Sequence, residues 1–482
     1  MATEVIRKKY IPTIGIETHV QLKTKTKLFA AVGNDARNAA PNSLISHICV
    51  GTPGALPVLN RAAIELCTRT AFALGTKPQK FSKFERKHYF YPDLPKGYQI
   101  TQYEQPIIIG GQVEISIDGQ KKTLAVERAN LEEDAGKNTH PTGTDYSLVD
   151  LNRAGTPLLE IVSKPDIHSP AEAKAYVREL YLLTKYAGVT DGDLYHGHMR
   201  FDLNISVSPD PGKLGTRSEI KNLNSFRSVE AAVAYEIKRQ TELLQKGGHV
   251  IQETRGWNEL KQRTFSQRTK EEAEDYRYMP EPDLPPLELD DSYVESIRKS
   301  LPKLPADIRS QLGRLDINPQ VVEDILDRAS IIKPILDVLD VAGPRDARRA
   351  AFWLIAAEPP DEQIAGAIEP EVDSGRLIEL SKMLDAGELS STAAKKVFGE
   401  LLSNPGPPRA IAEKLKLLQL SDESAVEKIV SEVIAANPGV VEQIRGGQEK
   451  AIGFLVGQVM AKSDGRANPR LAQKLIKKQL SV

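Results

Sequence analysis

The chain has 482 residues and a mass of 53.1 kDa, which suits roughly three domains better than a single core. Charged residues make up 27% and hydrophobic residues 40% of the sequence, so the chain can bury sizeable cores and is not compositionally disordered. Sixty-four Lys and Arg residues against 65 Asp and Glu give a net charge of -1. This balance excludes a uniformly basic nucleic-acid coat and leaves room for a local basic patch.

The two cysteines, Cys49 and Cys67, are too few for a disulfide framework or a four-thiolate zinc site. Reduced thiols are the expectation, with a single bridge between them left open. The basic residues near the start are not followed by an apolar stretch, so no secretory signal is expected. No apolar run approaches the ~20 residues that a membrane helix needs. We therefore expect a soluble, cytoplasmic protein that makes no membrane contact.

The first part of the chain has the periodicities of mixed α/β structure. Residues 14–23 alternate apolar and polar side chains, as a half-buried strand does. Residues 113–119 alternate in the same way and end in an Asp-Gly turn signal, which predicts a hairpin. A Ser-Pro start predicts a helix over residues 171–187, and a second helix is predicted over 228–244.

Two proline-rich segments suggest domain boundaries. Residues 279–286 contain four prolines and predict a crossing out of the first domain, after which helical patterns dominate. Residues 404–408 separate a middle helical block from a last one. We expect an α+β domain with a mixed or antiparallel sheet over 1–290, an all-α domain over 291–405, and a small all-α tail domain over 406–482.

Glu17 and His19 are the first candidate metal ligands. On the predicted strand they project from the same face, about 6.5–7 Å apart along the chain. A carboxylate and an imidazole at that separation can converge on one divalent ion. The alternative interpretation is a solvated polar face.

Two further acidic sites follow. Glu132, Glu133 and Asp134 are adjacent, and their mutual repulsion is tolerated in a surface turn or relieved by a metal or by Lys and Arg. Glu160 lies in an apolar, strand-like run over 155–162, where a lone carboxylate is costly unless it is paired. A rim position at the end of a strand is the alternative for Glu160.

Residues 83–98 combine basic and aromatic side chains. Lys87 and Lys96 could hold phosphates there, and Tyr89 or Tyr91 could stack a nucleotide base. Equally, the aromatic rings could pack inward while the lysines extend to solvent.

Polar residues of the types that bind metals and phosphates recur over 200–204, which includes Arg200 and Asp202, and over 221–226. Near the end of the chain, Asn468 and the proline after it predict a helix start. The basic residues around this helix suit a phosphate backbone, although a plain amphipathic helix has the same pattern; they are Arg466, Arg470, Lys474, Lys477 and Lys478.

Taken together, these segments resemble the GatB family, the B subunits of the tRNA-dependent aspartyl/glutamyl-tRNA(Asn/Gln) amidotransferases. The resemblance extends in one order through nearly the whole chain. Its matching segments are 14–20, 54–60, 86–99, 131–137, 147–161, 221–226, 275–283, 453–458 and 467–469.

The resemblance implies a cradle-shaped catalytic domain, a helical domain and a tail domain that contacts tRNA. It also implies a reaction in which ATP phosphorylates the side-chain carboxylate of a mischarged Glu-tRNA(Gln) or Asp-tRNA(Asn), and ammonia then displaces the phosphate. In this family an amidase-like glutaminase partner supplies the ammonia through a polar channel, and a small third subunit braces the pair. The implied assembly is a heterotrimer that uses ATP and Mg²⁺.

By resemblance, the metal would lie among Glu17, His19, Glu133 and Glu160, with Glu133 also catalytic. Lys87 and Lys96 would meet phosphates or line the ammonia route, and Lys87 would share a catalytic role with Arg200 and Asp202. Tyr89 would contact ATP together with these lysines.

The sequence departs from the family at two places. Many relatives have a Cys-x-x-Cys near residues 46–49, where this chain retains only Cys49, so we expect no zinc. His196 replaces a common acid, which leaves the local metal or phosphate geometry open. Two rival functions remain open from the sequence: a non-catalytic tRNA-binding scaffold, and a free-standing carboxylate–amine ligase that uses ammonia directly. The sequence does not decide which mischarged tRNA is the substrate.

Overall fold

The computed structural model describes residues 10–269, 276–357, 372–419, 423–463 and 466–481. The chain forms two compact units, Met1–Pro305 and Ala306–Val482. Asp275, which begins one of the matching segments, lies outside the described residues.

The first unit contains both strands and helices. Its strands are β1 (Ile11–Gln21), β2 (Phe81–Ser82), β3 (Glu85–His88), β4 (Tyr98–Thr101), β5 (Ile108–Ile109), β6 (Gln112–Ile117), β7 (Gln120–Glu133), β8 (Lys137–Thr139), β9 (Leu148–Asp150), β10 (Pro157–Ser163), β11 (Met199–Ser208), β12 (Ser218–Leu223), β13 (Glu253–Asn258), β14 (Arg263–Thr269), β15 (Met279–Pro280) and β16 (Leu287–Glu288). Its helices are α1 (Arg61–Ala73), α2 (Pro170–Tyr186), α3 (Phe226–Gln245) and α4 (Asp291–Lys299).

Nine of these strands, within the described residues, form one sheet in the order β14-β13-β12-β11-β1-β10-β7-β5, with β6 also paired to β7. Strands β12 and β13 are parallel, and the other pairs in this sheet are antiparallel. The predicted mixed sheet is therefore confirmed.

The central strand β1 separates a core face from a polar face. Ile14, Ile16 and Val20 are at most 1% exposed and belong to the hydrophobic core that also includes α2 and α3 residues such as Val177 and Val233. Because side chains alternate along a strand, the intervening Glu17 and His19 project from the other face. Because the apolar face is buried against the helices, the carboxylate and the imidazole of β1 both project from the opposite face of the sheet.

The predicted local elements match the structure. The hairpin turns at Asp118 and Gly119, which both have positive φ, between β6 and β7. The side chain of Ser169 accepts a hydrogen bond from the Glu172 amide at the start of α2, and Ser225 caps α3 in the same way. These caps satisfy amide groups that a helix start leaves without a partner.

The proline-rich segment after residue 278 folds back onto the first unit. Strand β15 pairs with β3 and β16 pairs with β2, while Glu281 is 4% exposed and accepts a hydrogen bond from Arg86 Nε at 2.8 Å. These residues belong to the first compact unit, which extends to Pro305. The division into three domains with boundaries at 290 and 405 stays a prediction.

The second unit is helical in its described residues. Its α-helices are α5 (Pro305–Leu312), α6 (Pro319–Asp327), α7 (Ala329–Ala342), α8 (Pro344–Ala356), α9 (Ser374–Asp385), α10 (Ser391–Ser403), α11 (Pro408–Lys414), α12 (Glu423–Ala436), α13 (Pro438–Arg445), α14 (Ile452–Lys462) and α15 (Pro469–Leu480). Helices α12 to α15 share a hydrophobic core of their own, which includes Val430, Leu455 and Leu475. Among the described helices, none has the length and apolar character required to span a membrane.

Candidate functional site

The polar face of the sheet aligns candidate residues from three neighbouring strands. On β1, His19 lies between Glu160 of β10 and Arg200 of β11. Glu17 is paired with Asp202 of β11 in the same register. Strand pairing thus brings together residues that are up to 185 positions apart along the chain because directly opposite side chains on one face lie ~5 Å apart.

Three carboxylates on this face form a compact group. Oxygens of Glu17, Asp202 and Glu219 lie within 4.8 Å of one another, the one such group of potential metal ligands in the described ranges. Burial raises the pKa of Glu17, and the nearby charges of Glu160 and Asp202 raise it further. Lys221 Nζ lies 3.8 Å from Asp202 and 3.1 Å from Glu219, so one cation partly neutralises the group.

A second acidic pair lies one strand further across the sheet. Burial, followed by the charge of Glu160, raises the pKa of Glu132 to about 7, and Thr101 Oγ1 donates a hydrogen bond to Glu132 at 2.8 Å. Asn130 Nδ2 donates to Glu160 at 3.3 Å. Asn130 Oδ1 is buried and contacts no hydrogen-bond donor in the described part of the chain. This part of the face therefore combines two carboxylates that repel each other with a buried amide oxygen, Asn130 Oδ1, that accepts no hydrogen bond from the described residues.

Glu133 does not share this face. It follows Glu132 on β7, so strand alternation directs its side chain to the opposite side of the sheet. There Glu133 accepts hydrogen bonds from Lys96 Nζ and from the Ile100 amide. Strand register thus places Glu17, His19 and Glu160 on one face together with Glu132, whereas Glu133 lies on the other face.

The other predicted basic residues have distinct surroundings. Arg200 donates to Asp134 at 2.9 Å, and this contact raises the pKa of Arg200. Lys87 Nζ lies 4.7 Å from the centre of the Tyr276 ring and 5.9 Å from that of Tyr89. Its charge lowers the pKa of Glu132 against the effect of burial. Lys87 therefore lies beside the acidic face, whereas Lys96 is paired on the other side with Glu133.

Two cavities lie beside the carboxylate group: one is lined by Glu17 itself, and the other by Lys221, which contacts Asp202 and Glu219. The first, here called the Glu17 cavity, has a volume of about 630 Å³ and is lined by residues that include Gly15, Glu17, Asn204, Ser206, Thr216 and Arg217. The second, the tyrosine cavity, has a volume of about 410 Å³ and is lined by residues that include Lys87, Tyr89, Tyr91, Lys221, Thr254 and Tyr276. Both volumes are in the range of small-ligand sites.

Glu219 and Asn130 were not singled out by the sequence analysis, and Glu132 was recognised only as part of an acidic run. Each lies on a strand whose alternation places it on the polar face. Periodicity could have predicted that Glu219 and Lys221 share a face. The register that sets them beside Asp202 depends on long-range pairing, which no local pattern contains.

Neither cysteine belongs to the group of potential metal ligands found in the described residues, and His196 is also outside it. In the described residues Cys49 and Cys67 are both free and buried. Cys49 Sγ is 3.6 Å from Lys27 Nζ, and His196 Nδ1 is hydrogen-bonded to Asp193 at 2.6 Å. The structure thus shows no bridge between the two thiols within the described ranges.

The predicted basic helix near the end of the chain is present as α15. Asn468 caps it by accepting hydrogen bonds from two backbone amides. Arg470, Lys474 and Lys478 are exposed, and Arg466 and Lys477 are half-buried. The opposite side of α15 is buried in the core of helices α12 to α15, so the basic face is open for an anionic partner.

The carboxylate cluster lies on a mixed sheet that is followed by helices, and comparison with known families gives the class of this domain. The family model described as the GatB/GatE catalytic domain matches residues 12–295, and the one described as the GatB domain matches residues 363–480.

Similar proteins in other organisms agree over nearly the full length. The B subunit of the aspartyl/glutamyl-tRNA(Asn/Gln) amidotransferase from Geobacter sulfurreducens is 45% identical over 98% of this chain and 99% of its own length. The protein of the same name from Trichodesmium erythraeum is 43% identical over 100% of both chains, and that from Alkalilimnicola ehrlichii is 45% identical over 97% and 98%. The chain belongs to the GatB family, the B subunits of the aspartyl/glutamyl-tRNA(Asn/Gln) amidotransferases.

Proposed function

We propose that this chain carries out the ATP-dependent step of tRNA-dependent transamidation: it phosphorylates the side-chain carboxylate of a mischarged Glu-tRNA(Gln) or Asp-tRNA(Asn), and ammonia displaces the phosphate. The ammonia comes from an amidase-like glutaminase partner, and a small third subunit completes a heterotrimer. The observation that carries the proposal is the cluster of carboxylates on the polar face of the sheet, with one cavity lined by Glu17 and another lined by Lys221 beside it. Because its substrate is a tRNA used in translation, we place the reaction in the cytoplasm.

The donor set on this face fits Mg²⁺. Mg²⁺ prefers oxygen ligands and is usually bound by one or two carboxylates together with waters and substrate phosphates. The described residues supply the carboxylates, and the unpaired oxygen of Asn130 adds one more oxygen donor. We propose that the metal binds among Glu17, Glu132, Glu160, Asp202 and Glu219, with His19 at the margin of the site. The ion would supply charge neutralisation for the transferring phosphoryl group.

This proposal revises one member of the set that the sequence suggested. Glu133 faces Lys96 across the sheet from the cluster, so Glu132 replaces it as the proposed ligand. Of the two roles suggested for Lys96, lining an ammonia route is favoured because its charge is already paired with Glu133. Lys96 is then a polar wall residue and makes no phosphate contact.

The chain's own residues can position both reactants. A carboxylate is a poor acyl donor until it gains a leaving group, and phosphoryl transfer depends mainly on positioning and charge neutralisation. Lys87 and Lys221 line the same cavity and offer cations to an incoming phosphate or carboxylate. Arg200, fixed by Asp134, adds positive charge beside His19. These contacts orient the substrates without a protein nucleophile.

Reconstitution tests the proposal directly. The chain would be assembled with its glutaminase partner and the small third subunit, then supplied with ATP, Mg²⁺, glutamine and each mischarged tRNA in turn. The amino acid released from the tRNA would be analysed. We expect glutamine or asparagine to appear only when ATP is present. An ATP-independent product, or no amide with either tRNA, would contradict the proposal.

A further inference from the structure

A row of tyrosines extends along one side of the acidic face. Tyr103 and Tyr278 are stacked with ring centres 4.2 Å apart. From Tyr278 the row continues to Tyr276 at 6.3 Å, to Tyr89 at 6.4 Å and to Tyr91 at 6.4 Å. At the inner end, the Arg128 guanidinium lies 5.7 Å from the centre of the Tyr103 ring, so this end of the row adjoins β7, the strand that contains Glu132.

The outer end of the row forms the tyrosine cavity. Tyr89, Tyr91 and Tyr276 line it together with Lys87 and Lys221, and Lys221 contacts the carboxylate group. The rings of Tyr89 and Tyr91 are inclined at 62°, and those of Tyr89 and Tyr276 at 78°. Rings at these angles do not form a parallel slot, so a planar base would stack on the face of one ring and meet the edge of the next. Lys87 and Lys221 line the same cavity and offer ammonium groups to the phosphate joined to that base.

We infer that the tyrosine cavity binds the terminal base of the single-stranded 3′ end of the aminoacyl-tRNA, so that ATP enters through the Glu17 cavity. This inference rests on the proposed function and assigns each substrate to one cavity. It adds Tyr276, Tyr278 and Tyr103 as positioning residues for the tRNA end.

The extent of the aromatic surface favours a nucleic-acid strand over a mononucleotide. One ATP base needs one stacking partner, whereas three tyrosine rings line this cavity. At the outer end of the row Tyr91 is 54% exposed and its neighbour Phe90 is 84% exposed, which offers rings to the bases that precede the last one. Stacking on aromatic rings does not depend on which base is bound. It can therefore hold a single-stranded terminus without hydrogen bonds to the base edges.

The Glu17 cavity has the features expected for the other substrate. It is the larger of the two and includes the Glu17 carboxylate of the proposed metal site. Gly215, which lines it, lies so close to β11 that an added Cβ would be 2.3 Å from the Val207 carbonyl oxygen. Strand β11 therefore leaves no room for a side chain at residue 215, and backbone atoms form this part of the cavity wall.

A fluorescent base tests the inference separately from the chemistry. An acceptor-stem minihelix with 2-aminopurine as its 3′-terminal base would be titrated with the full chain in its assembled complex. Stacking on tyrosine quenches 2-aminopurine, so we expect quenching with the unchanged chain and with Tyr276→Phe. We expect its loss with Tyr276→Leu and Tyr91→Leu. Tyr195→Leu, which removes a tyrosine that is 90% exposed and outside the row, is the matched control and keeps the quenching.

Steady-state kinetics of the same variants give the second readout. Tyr276→Leu and Tyr91→Leu should raise KM for an aminoacylated minihelix about tenfold and leave KM for ATP within about twofold. Unchanged quenching in both leucine variants would overturn the inference. So would a raised KM for ATP with an unchanged KM for the minihelix, because it would place ATP in the tyrosine cavity beside Tyr89, as the sequence suggested. Quenching without amide formation would instead reject the proposed function and retain this binding site.

Discussion

Glu132 and Glu133 are neighbours in the chain with opposite surroundings. Glu132 lies with Glu160 on the polar face, and burial raises its pKa to about 7. Glu133 is paired with Lys96 on the other side of the sheet. The difference follows from one property of a strand, that successive side chains point to opposite faces. The sequence shows an acidic run, and the structure divides it into a proposed metal ligand and a structural ion pair.

Paired substitutions test this division. In the assembled complex, Glu132→Gln should weaken Mn²⁺ binding by about tenfold or more because it removes a ligand carboxylate, and should abolish amide formation while glutamine hydrolysis persists. Glu133→Gln removes the same charge and should leave Mn²⁺ affinity within about twofold. The electron paramagnetic resonance signal of free Mn²⁺ measures both affinities. Equal weakening by the two variants would contradict the placement of Glu132 at the metal.

The raised pKa of Glu132 also predicts a pH dependence of stability. A carboxyl group with a pKa near 4.5 in the unfolded chain and about 7 in the folded one binds more protons when folded. The free energy of unfolding therefore falls as the pH rises from about 4.5 to 7, by roughly 3 kcal/mol for a shift of this size. Glu132→Gln removes this titration, so without divalent metal it should stabilise the first unit at pH 8 and have little effect at pH 4.5.

Denaturation in the presence of a chelator measures this effect. The chain has two tryptophans, Trp257 in the first unit and Trp353 in the second. In a Trp353→Phe background, fluorescence reports the first unit alone. The difference between Glu132→Gln and its parent should grow with pH. A constant difference from pH 4.5 to 8 would show that Glu132 titrates normally.

At the scale of elements, local patterns predicted the elements themselves and tertiary pairing determined the site. The strand over 14–23, the hairpin after residue 113 and the cap at Ser169 were all predictable because hydrophobic period and capping chemistry are local. The position of Glu219 beside Asp202 requires β12 to pair with β11, and such long-range register has no signature in a single sequence. The segment over 279–286 shows the same limit: its prolines favoured a linker, yet Glu281 is drawn into the fold by Arg86.

The exposed basic face of helix α15 is predicted to bind the tRNA backbone. Its exposed lysines lie opposite a buried apolar side, so Lys474→Ala combined with Lys478→Ala should weaken tRNA binding without unfolding the helix. Each lost phosphate contact should reduce the slope of log K against log salt by roughly 1. Lys395→Ala with Lys396→Ala on α10, where both lysines are exposed, removes the same charge and is the control. Equal salt slopes for the two double variants, measured by filter binding, would show that α15 does not contact the tRNA backbone.

At the scale of the whole molecule, the two units have different chemistry. The first unit contains the carboxylates, both cavities and the tyrosine row. The second contributes the exposed basic face of α15. Family membership and the general fold could be predicted from the sequence because the matching segments extend through nearly the whole chain. The set of acidic residues that share one face could not, because it depends on the register of strands that are distant in the chain.

The central claim is that the carboxylate of the aminoacyl group is activated by phosphorylation on the acidic face. Its most direct test is an oxygen-tracing experiment with the reconstituted complex, ATP, glutamine and Glu-tRNA(Gln) whose side-chain carboxylate is labelled with ¹⁸O. Phosphorylation followed by displacement transfers one carboxylate oxygen to phosphate, so mass spectrometry should find one ¹⁸O in each phosphate released together with an amide. Unlabelled phosphate formed in step with amide would contradict the account.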